Sequence, residues 1–590
     1  MGRKLTGKQT ETIVERKQAN GSIYVYVRTS WYDPTIRNTR SKMKLQGIRD
    51  SSTGEIIPTR PKNKQSPLAP TVTAVPVVVK KNAMICIIRY YSDRSGVTNE
   101  VLKALPEDQG RAQKILTLAW FAFATQGKSW TAANTWTARY LNQLPYNYGS
   151  ITKDIYQELF HFIGRNPGIE ESIFVARAKQ FGKGELVAWD STTYVCGVES
   201  VHDAVKSVHK DSLIKDVYKV FFFYSVTSRQ LIGYVKLHGS TPDSITVPYA
   251  LAAVKAWGLN KPVILQDNGY TNNLTIGELL HQGLHFVTRV LPSLKWIQPI
   301  LDKYRDALIN SEEPSQIVYC EPEFSGVWHK EKHTFTYVRK YASKSKGIAA
   351  GGHDKVESNI NVFVYYSSSK KGRDDKEFRQ TICRVRESAL AGRAMDDEDK
   401  KFMKNFLCPV IEDGKTIDYT VDLQKKAEQM KYHGFLVLIS DYEKDVTKAL
   451  ATFRIRERIE ESIKGHKSFT GGDSSKTGSD TFLSGELLIE FLGNSLRESI
   501  LSNFRTFNRT LGIANGDRNH DYQKNLELEA DLLKWINKHS VQNILDAFDT
   551  TDVREVYSDG HSSKLATSTI KRDILFLNLH EFYEWGKVQQ

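Results

Sequence analysis

Leu186-Val187-Ala188-Trp189-Asp190-Ser191-Thr192-Thr193 decides the fold: an apolar run ends in an acid and is followed by three hydroxyl side chains. A nearly continuous apolar strand belongs inside a sheet covered on both faces. Leu186 to Asp190 is therefore expected as a central strand whose carboxylate emerges where the strand ends. The same design recurs downstream, where Val263-Ile264-Leu265-Gln266 runs into the turn sequence Asp267-Asn268-Gly269-Tyr270. Between the two, Val217 to Val226 and Leu231 to Leu237 read as strands and Val247 to Trp257 as a helix. Thr275 to Gln282 then reads as a helix and His285 to Val290 as a strand. Strands with intervening helices predict an α/β sheet, where ligands gather at the carboxyl ends of the strands. Both aspartates are expected at or just beyond such ends.

A third acid lies far along the chain. Gly434 to Ile439 reads as another buried strand, and Asp445 to Ile463 as one long charged helix after it. In that helix Phe453, Arg456, Glu460 and Lys467 are separated by 3, 4 and 7 residues, which at about 100° per residue confines them to a sector of roughly 60°. One carboxylate and two cations then point the same way. Singly, Asp190 and Asp267 read as turn residues and Glu460 as a solvated helical acid. Jointly, two aspartates from separate strands and a glutamate from a packed helix meet the need of two metal ions roughly 3.5–4 Å apart, which one short loop cannot surround. Oxygen donors without a spaced His/Cys cluster argue for two Mg²⁺, or Mn²⁺, rather than zinc. Arg456 and Lys467 beside them can grip phosphate.

Composition bounds the rest. A chain of 590 residues with 40% hydrophobic content is expected to form several domains. Lys plus Arg number 82 against 68 Asp plus Glu, a net charge of +14 that favours a polyanionic partner, most simply nucleic acid. Five cysteines without a CxxC pair indicate neither a disulfide framework nor a zinc ribbon, and fit a reducing cytoplasm. No window approaches the roughly 18 apolar residues of a membrane span, so no membrane partner is expected. Ala349-Ala350-Gly351-Gly352-His353 lacks the GK[ST] of a phosphate-binding loop, so no nucleotide cofactor is expected.

The three motifs, in order, resemble those of the DDE transposases of bacterial insertion sequences, in the group marked by Y-x2-R-x3-E-x6-K. Phe453-x2-Arg456-x3-Glu460-x6-Lys467 matches that spacing, Asp190-Ser191-Thr192-Thr193 resembles the first acidic motif, and Asp267-Asn268-Gly269-Tyr270 the second. The resemblance spans about residues 180 to 510. It implies an α/β, RNase H-like mixed sheet with helices, interrupted by a β-rich insertion, with Asp190, Asp267 and Glu460 as catalytic metal ligands and Arg456 and Lys467 on backbone phosphate. It also implies cleavage of element ends on double-stranded DNA, with a hairpin as a plausible intermediate, joining of 3′-OH ends to target DNA, and a homodimer that pairs two ends. Phe453 departs from the family's Tyr, keeping the ring and losing the hydroxyl. Related enzymes stack an unpaired base on an aromatic of the insertion. Trp296 and Trp328 are candidates for that role or are core aromatics, while Lys330, Lys332, Arg339, Lys340, Lys344 and Lys346 either track phosphates or keep the insertion soluble.

The expected organisation is an N-terminal β-rich module over 1–95, with strands at Ile23 to Val27 and Met84 to Ile88, and a helical DNA-binding region over 96–180. The catalytic core follows over 181–295 and resumes over 433–510, with a β-rich insertion at 296–432 between its halves. A helical region over 511–590 is a candidate for dimerisation. Two other functions are compatible with these motifs: a non-cleaving DNA-binding protein derived from such a transposase, and an RNase H-like nuclease without strand transfer.

Overall fold

The computed structural model describes residues 9–33, 35–36, 38–58, 77–197, 201–208, 214–310, 317–320, 323–339, 351–412, 415–469, 474–475, 478–513, 532, 534–558 and 561–566. The chain forms two units, one of residues 1–78 with 556–562 and one of 79–555 with 563–590.

In the first unit, Thr10–Lys17, Ile23–Asp33, Asn38–Arg49 and Ile56–Ile57 form an antiparallel sheet in sequence order. Val25 is the one buried hydrophobic side chain of this unit among the described residues.

The second unit begins with helices. Met84 to Ile88, expected as a strand, lies instead in the helix Ala83–Arg94, whose start is capped by the Asn82 side chain accepting from the Ile85 amide. Ala83 through Ile88 are all buried, and a short apolar run buried on every side carries no periodicity to separate helix from strand. Five more α-helices follow up to Ala178.

The central sheet uses the apolar runs. Its strands are β1 (Leu186–Cys196), β2 (Ile214–Ser225), β3 (Gln230–His238), β4 (Val263–Gln266), β5 (His285–Val290), β6 (Phe324–Val338), β7 (His353–Tyr366) and β8 (Phe435–Ser440). They lie in the order β3-β2-β1-β4-β5-β8-β7-β6, with three short strands completing the sheet. β2 is antiparallel to β1 and to β3, β4 is parallel to β1 and to β5, and the pairs from β5 to β8, β7 and β6 are antiparallel.

Helices α1 (Asp243–Trp257), α2 (Asn273–His281), α3 (Val446–Ile455), α4 (Glu457–Phe469) and α5 (Asp480–Ile513) pack around this sheet. α5 also crosses the helix Lys153–Arg165 at very close range. A Cβ on Gly164 would stand 2.0 Å from the Thr481 carbonyl oxygen, and one on Gly485 would stand 2.2 Å from that of Phe160. Glycine at both positions is what lets the two backbones touch.

The segment 296–432 differs from a separate β-rich insertion. Its long hairpin, β6 and β7, extends the central sheet beside β8, and its remaining elements are mostly helical: Gln298–Asn310, Ser368–Leu390, Asp397–Phe406 and Leu423–Met430 flank one small hairpin, Leu407–Glu412 with Lys415–Val421. The helices are strongly charged, so their apolar stripes are narrow and read weakly in sequence. The region after 510 is likewise not purely helical: Val541–Asp549 is followed by strands Asp552–Ser558 and His561–Ala566. No described helix is long and apolar enough to cross a membrane.

Candidate active site

The parallel ladder between β1 and β4 pairs Leu186, Val187 and Ala188 with Val263, Ile264 and Leu265, and then stops. β4 ends at Gln266 and the chain turns away at Asp267, whereas β1 continues to Cys196 against β2, joined on its other side only at Val195 and Cys196 by the short strand Ser474–Ser475. Asp190 thus lies in mid-strand rather than at the strand's end, two residues past the last parallel pair. The notch left by β4 serves the purpose the strand end was expected to serve, and both aspartates border it.

The turn that carries Asp267 helps to fix both aspartates. The Asp267 carboxylate accepts from the Asn268 amide at 2.8 Å, capping the turn Asn268–Tyr270. Asp190 Oδ1 accepts from the Ser191 amide at 2.8 Å and from the Tyr270 hydroxyl at 2.9 Å. Burial pushes the Asp190 carboxyl up. The Tyr270 hydrogen bond and Arg456 oppose that shift, and Glu460 adds to it. The Tyr270 hydroxyl is itself driven far up by burial and by the charges of Asp190 and Asp243, so it remains a donor. Ser191 Oγ donates to Asp243 at 3.0 Å, and Lys219 Nζ donates to the same carboxylate at 2.7 Å.

Arg456 gathers the three acids. Its guanidinium approaches Glu460 at 2.7 Å, Asp190 at 3.6 Å and Asp267 at 3.9 Å, and its side chain is only 9% exposed. Arg289 adds a second cation 3.9 Å from Asp267. The three acids expected to act together therefore do meet, with a cation between them. As they stand they surround the guanidinium, and among the described residues no three His, Cys, Asp or Glu side chains enclose a metal position. Carboxylate oxygens are the donor type that hard divalent ions take.

No family model matches this chain, and no curated protein matches it. Among solved structures, a cryo-EM structure of a piggyBac transposase synaptic complex with hairpin DNA matches over 80% of this chain and 82% of that one, at 9% identity and a TM-score of 0.31. That is a remote likeness.

The other expected site residues divide. The single helix Asp445 to Ile463 is two helices, α3 and α4, meeting at Arg456, where the Arg456 amide bonds the Phe453 carbonyl and the Ile459 amide bonds that of Arg456. These i→i+3 bonds interrupt the 3.6-residue period, and the four-residue stripe does not survive intact. Phe453 lies beneath the Arg456 guanidinium, 5.6 Å from centroid to Cζ, so its ring supports that cation without needing a hydroxyl. Lys467 is placed over the ring of Tyr194, 5.5 Å away. Tyr194 in turn bonds His466 Nδ1 at 2.9 Å, and burial pushes that imidazole down to about 3, leaving it neutral.

Trp296 stacks on His333 with centroids 4.3 Å apart and lines a cavity of about 390 Å³ with Thr271, Asn272, Ile276 and Phe335. Thr271 Oγ1 donates to the Asp267 carbonyl at 3.0 Å, so the cavity adjoins the Asp267 turn. Trp328 does not line it; the residue is 42% exposed and its indole N–H donates to Asn361 at 3.1 Å. Lys332 pairs with Glu357 and Arg339 with Asp354, while Lys340, Lys344 and Lys346 lie outside the described residues. Sequence reasoning missed Asp243, Lys219, Arg289 and the hydroxyl role of Tyr270. A signal existed for Lys219, a lone cation in the buried run from Val217 to Val226.

Proposed function

We propose that this chain is a DDE-type DNA transposase, a strand-cleaving and strand-joining enzyme on an RNase H-like core that acts on the double-stranded ends of a mobile element as a homodimer. The observation that carries the reading is the convergence of Asp190, Asp267 and Glu460, from a strand, a strand-end turn and a helix distant in sequence, on the Arg456 guanidinium. The order β3-β2-β1-β4-β5, with the first three strands antiparallel and the last two parallel to β1, supports the RNase H-like assignment.

Asp190, Asp267 and Glu460 would hold Mg²⁺ or Mn²⁺, which when bound in such a site activates the attacking oxygen and stabilises the leaving one. The chain's own groups do the rest. Tyr270 and the Ser191 amide both grip Asp190 Oδ1 and so orient its other oxygen toward the cleft. Arg456, propped on Phe453, supplies a planar fork of donors suited to a backbone phosphate once the carboxylates are otherwise neutralised. Trp296 is better placed than Trp328 to stack an unpaired base, because its cavity borders the Asp267 turn.

The test is nicking and joining of plasmid DNA that carries the flanks of this coding sequence, in Mg²⁺ or Mn²⁺, with Asp190→Ala as the comparison. Divalent-dependent strand breaks that vanish in the variant are expected. Undiminished breakage by Asp190→Ala ends the assignment, and breakage without joining of free 3′-OH ends reduces it to a nuclease.

A further inference from the structure

Lys219 is a buried cation in the middle of β2, and its partners lead to the acidic site. The β1–β2 ladder pairs Thr193 with Lys219 and Ser191 with Phe221. Directly paired residues and residues two apart share a face, so Lys219 and Ser191 lie on the same side of the sheet. Lys219 is only 8% exposed. Its ammonium donates to the Thr241 carbonyl at 2.6 Å and to Oδ1 of Asp243, the first residue of α1, at 2.7 Å. A buried charge of this kind needs such a partner. The same Asp243 oxygen accepts from Ser191 Oγ at 3.0 Å. The Tyr270 hydroxyl lies 2.9 Å from Ser191 Oγ and 2.9 Å from Asp190 Oδ1, and it accepts from the Ser191 amide at 2.7 Å.

Proton counting gives this chain of contacts a direction. An ionised carboxylate only accepts, and a hydroxyl has one proton to give. Asp243, held by Lys219, takes the Ser191 proton and leaves Ser191 Oγ facing Tyr270 with its lone pairs. The Tyr270 hydroxyl is then held by Ser191 from two sides, amide and Oγ, with Asp190 as its other acceptor. A Cβ on Gly269 would stand 3.5 Å from Asp243 Oδ2, so the turn that carries Asp267 and Tyr270 also rests against this acid. We infer that the Lys219–Asp243 pair is a positioning device for Asp190, acting through the Ser191 hydroxyl and Tyr270. This rests on the reading of Asp190 as a metal ligand. Groups that orient a ligating carboxylate from behind matter for the metal itself, and losing one costs about 10- to 100-fold in metal affinity or activity. The competing explanation is a clasp that ties β2 to the start of α1 and has no bearing on the acids.

The test is a cycle read by calorimetric titration of Mn²⁺ into the full-length protein without DNA, with melting temperatures measured alongside. Ser191→Ala cuts the link and leaves the pair intact. Lys219→Met/Asp243→Ala removes the pair without stranding a buried cation, and the third variant combines all three changes. Ser191→Ala and the pair variant are each expected to lower Mn²⁺ affinity by about 10- to 100-fold. The combined variant should fall no further than the weaker of them, because both act along one path. Ser191→Thr, which keeps the hydroxyl, should bind as wild type does. Losses that multiply in the combined variant overturn the inference, since the pair then acts by its own charge and not through Ser191. A pair variant that melts earlier yet binds Mn²⁺ as tightly as wild type overturns it in favour of the clasp. If the wild-type chain binds no Mn²⁺ at all, the metal-site reading falls as well; if wild type binds and every variant matches it, this positioning role alone is refuted.

Discussion

Arg456 occupies the place where the proposed function needs a different cation, and this makes Arg456→Met the most informative substitution. Opposite charges about 4 Å apart attract by about 1 kcal/mol in bulk water and about 4 kcal/mol at an effective dielectric near 20. The Glu460 side chain is 42% exposed, so its pair is discounted to the surface range of about 0–1 kcal/mol. Asp190 and Asp267 are 21% and 31% exposed and lie farther off, and about 1 kcal/mol each is a fair value for them. Losing the guanidinium then removes about 2–3 kcal/mol of attraction and leaves three carboxylates facing one another. If the same acids take up a divalent ion, guanidinium and metal compete for them, and the loss reappears as tighter metal binding, roughly 30- to 150-fold. Calorimetric titration of Mn²⁺ into wild type and Arg456→Met reads this directly. The metal-free variant should melt earlier, and saturating metal should restore more of its melting temperature than it adds to wild type. DNA cleavage should still be lost, because the phosphate-binding fork is gone. Unchanged or weaker Mn²⁺ affinity would refute the competition and show that Arg456 organises the site rather than holding its place.

Tyr270→Phe removes the donor to Asp190 while keeping the ring. A hydrogen bond to a charged group contributes about 1.5–3 kcal/mol, so cleavage should slow by about one to two orders of magnitude with duplex affinity unchanged; wild-type rates would discard the positioning role. Trp296→Ala should weaken binding of a duplex with an unpaired base by about 1–3 kcal/mol and Trp328→Ala should not, whereas equal effects would remove the distinction between them. Gly485→Ala drives a Cβ toward the Phe160 carbonyl and should cost about 1–3 kcal/mol or more, seen as a lower melting temperature; an unchanged one contradicts the close crossing. Burial pushes the Glu170 carboxyl up to about 7 from an ordinary 4.5, against the hydrogen bond from Tyr234. The folded state therefore holds a proton that the unfolded chain releases, and stability should decline as pH rises from about 4.5 to about 7, by about 3 kcal/mol at most. Glu170→Gln should flatten that decline, and denaturation at a series of pH values shows whether it does.

The central sheet was legible because its strands are apolar on both faces. Val263 to Gln266 and Phe435 to Ser440 are buried at every position, and nothing but a covered strand or a buried helix produces such runs. The same property hid the helix Ala83–Arg94, where burial on all sides erases the periodicity that identifies helices. Charge was misleading in another way. A net value for 590 residues suggests one basic surface, whereas residues 1–78 hold fourteen Lys and Arg against five Asp and Glu and the rest of the chain holds 68 against 63.

The acidic site was legible in part, and the part that failed has a physical cause. Arg456 and Glu460 are four residues apart, within about one turn, and their side chains meet at 2.7 Å despite the junction at Arg456. Extrapolating helical phase farther, seven residues to Lys467 or three residues back across the junction to Phe453, assumes an unbroken helix. Two i→i+3 bonds at Arg456 remove that assumption. Phe453 ends beneath the guanidinium and Lys467 over Tyr194, both serving as neighbours of the cluster rather than members of one stripe. The Asp190 environment lay beyond sequence for a different reason. Tyr270 is 80 residues from Asp190, and only the parallel register that brings β4 beside β1 shows that the turn carrying Asp267 also supplies the hydroxyl that holds Asp190. A spacing motif thus identifies the acids, while sheet register determines which neutral groups orient them.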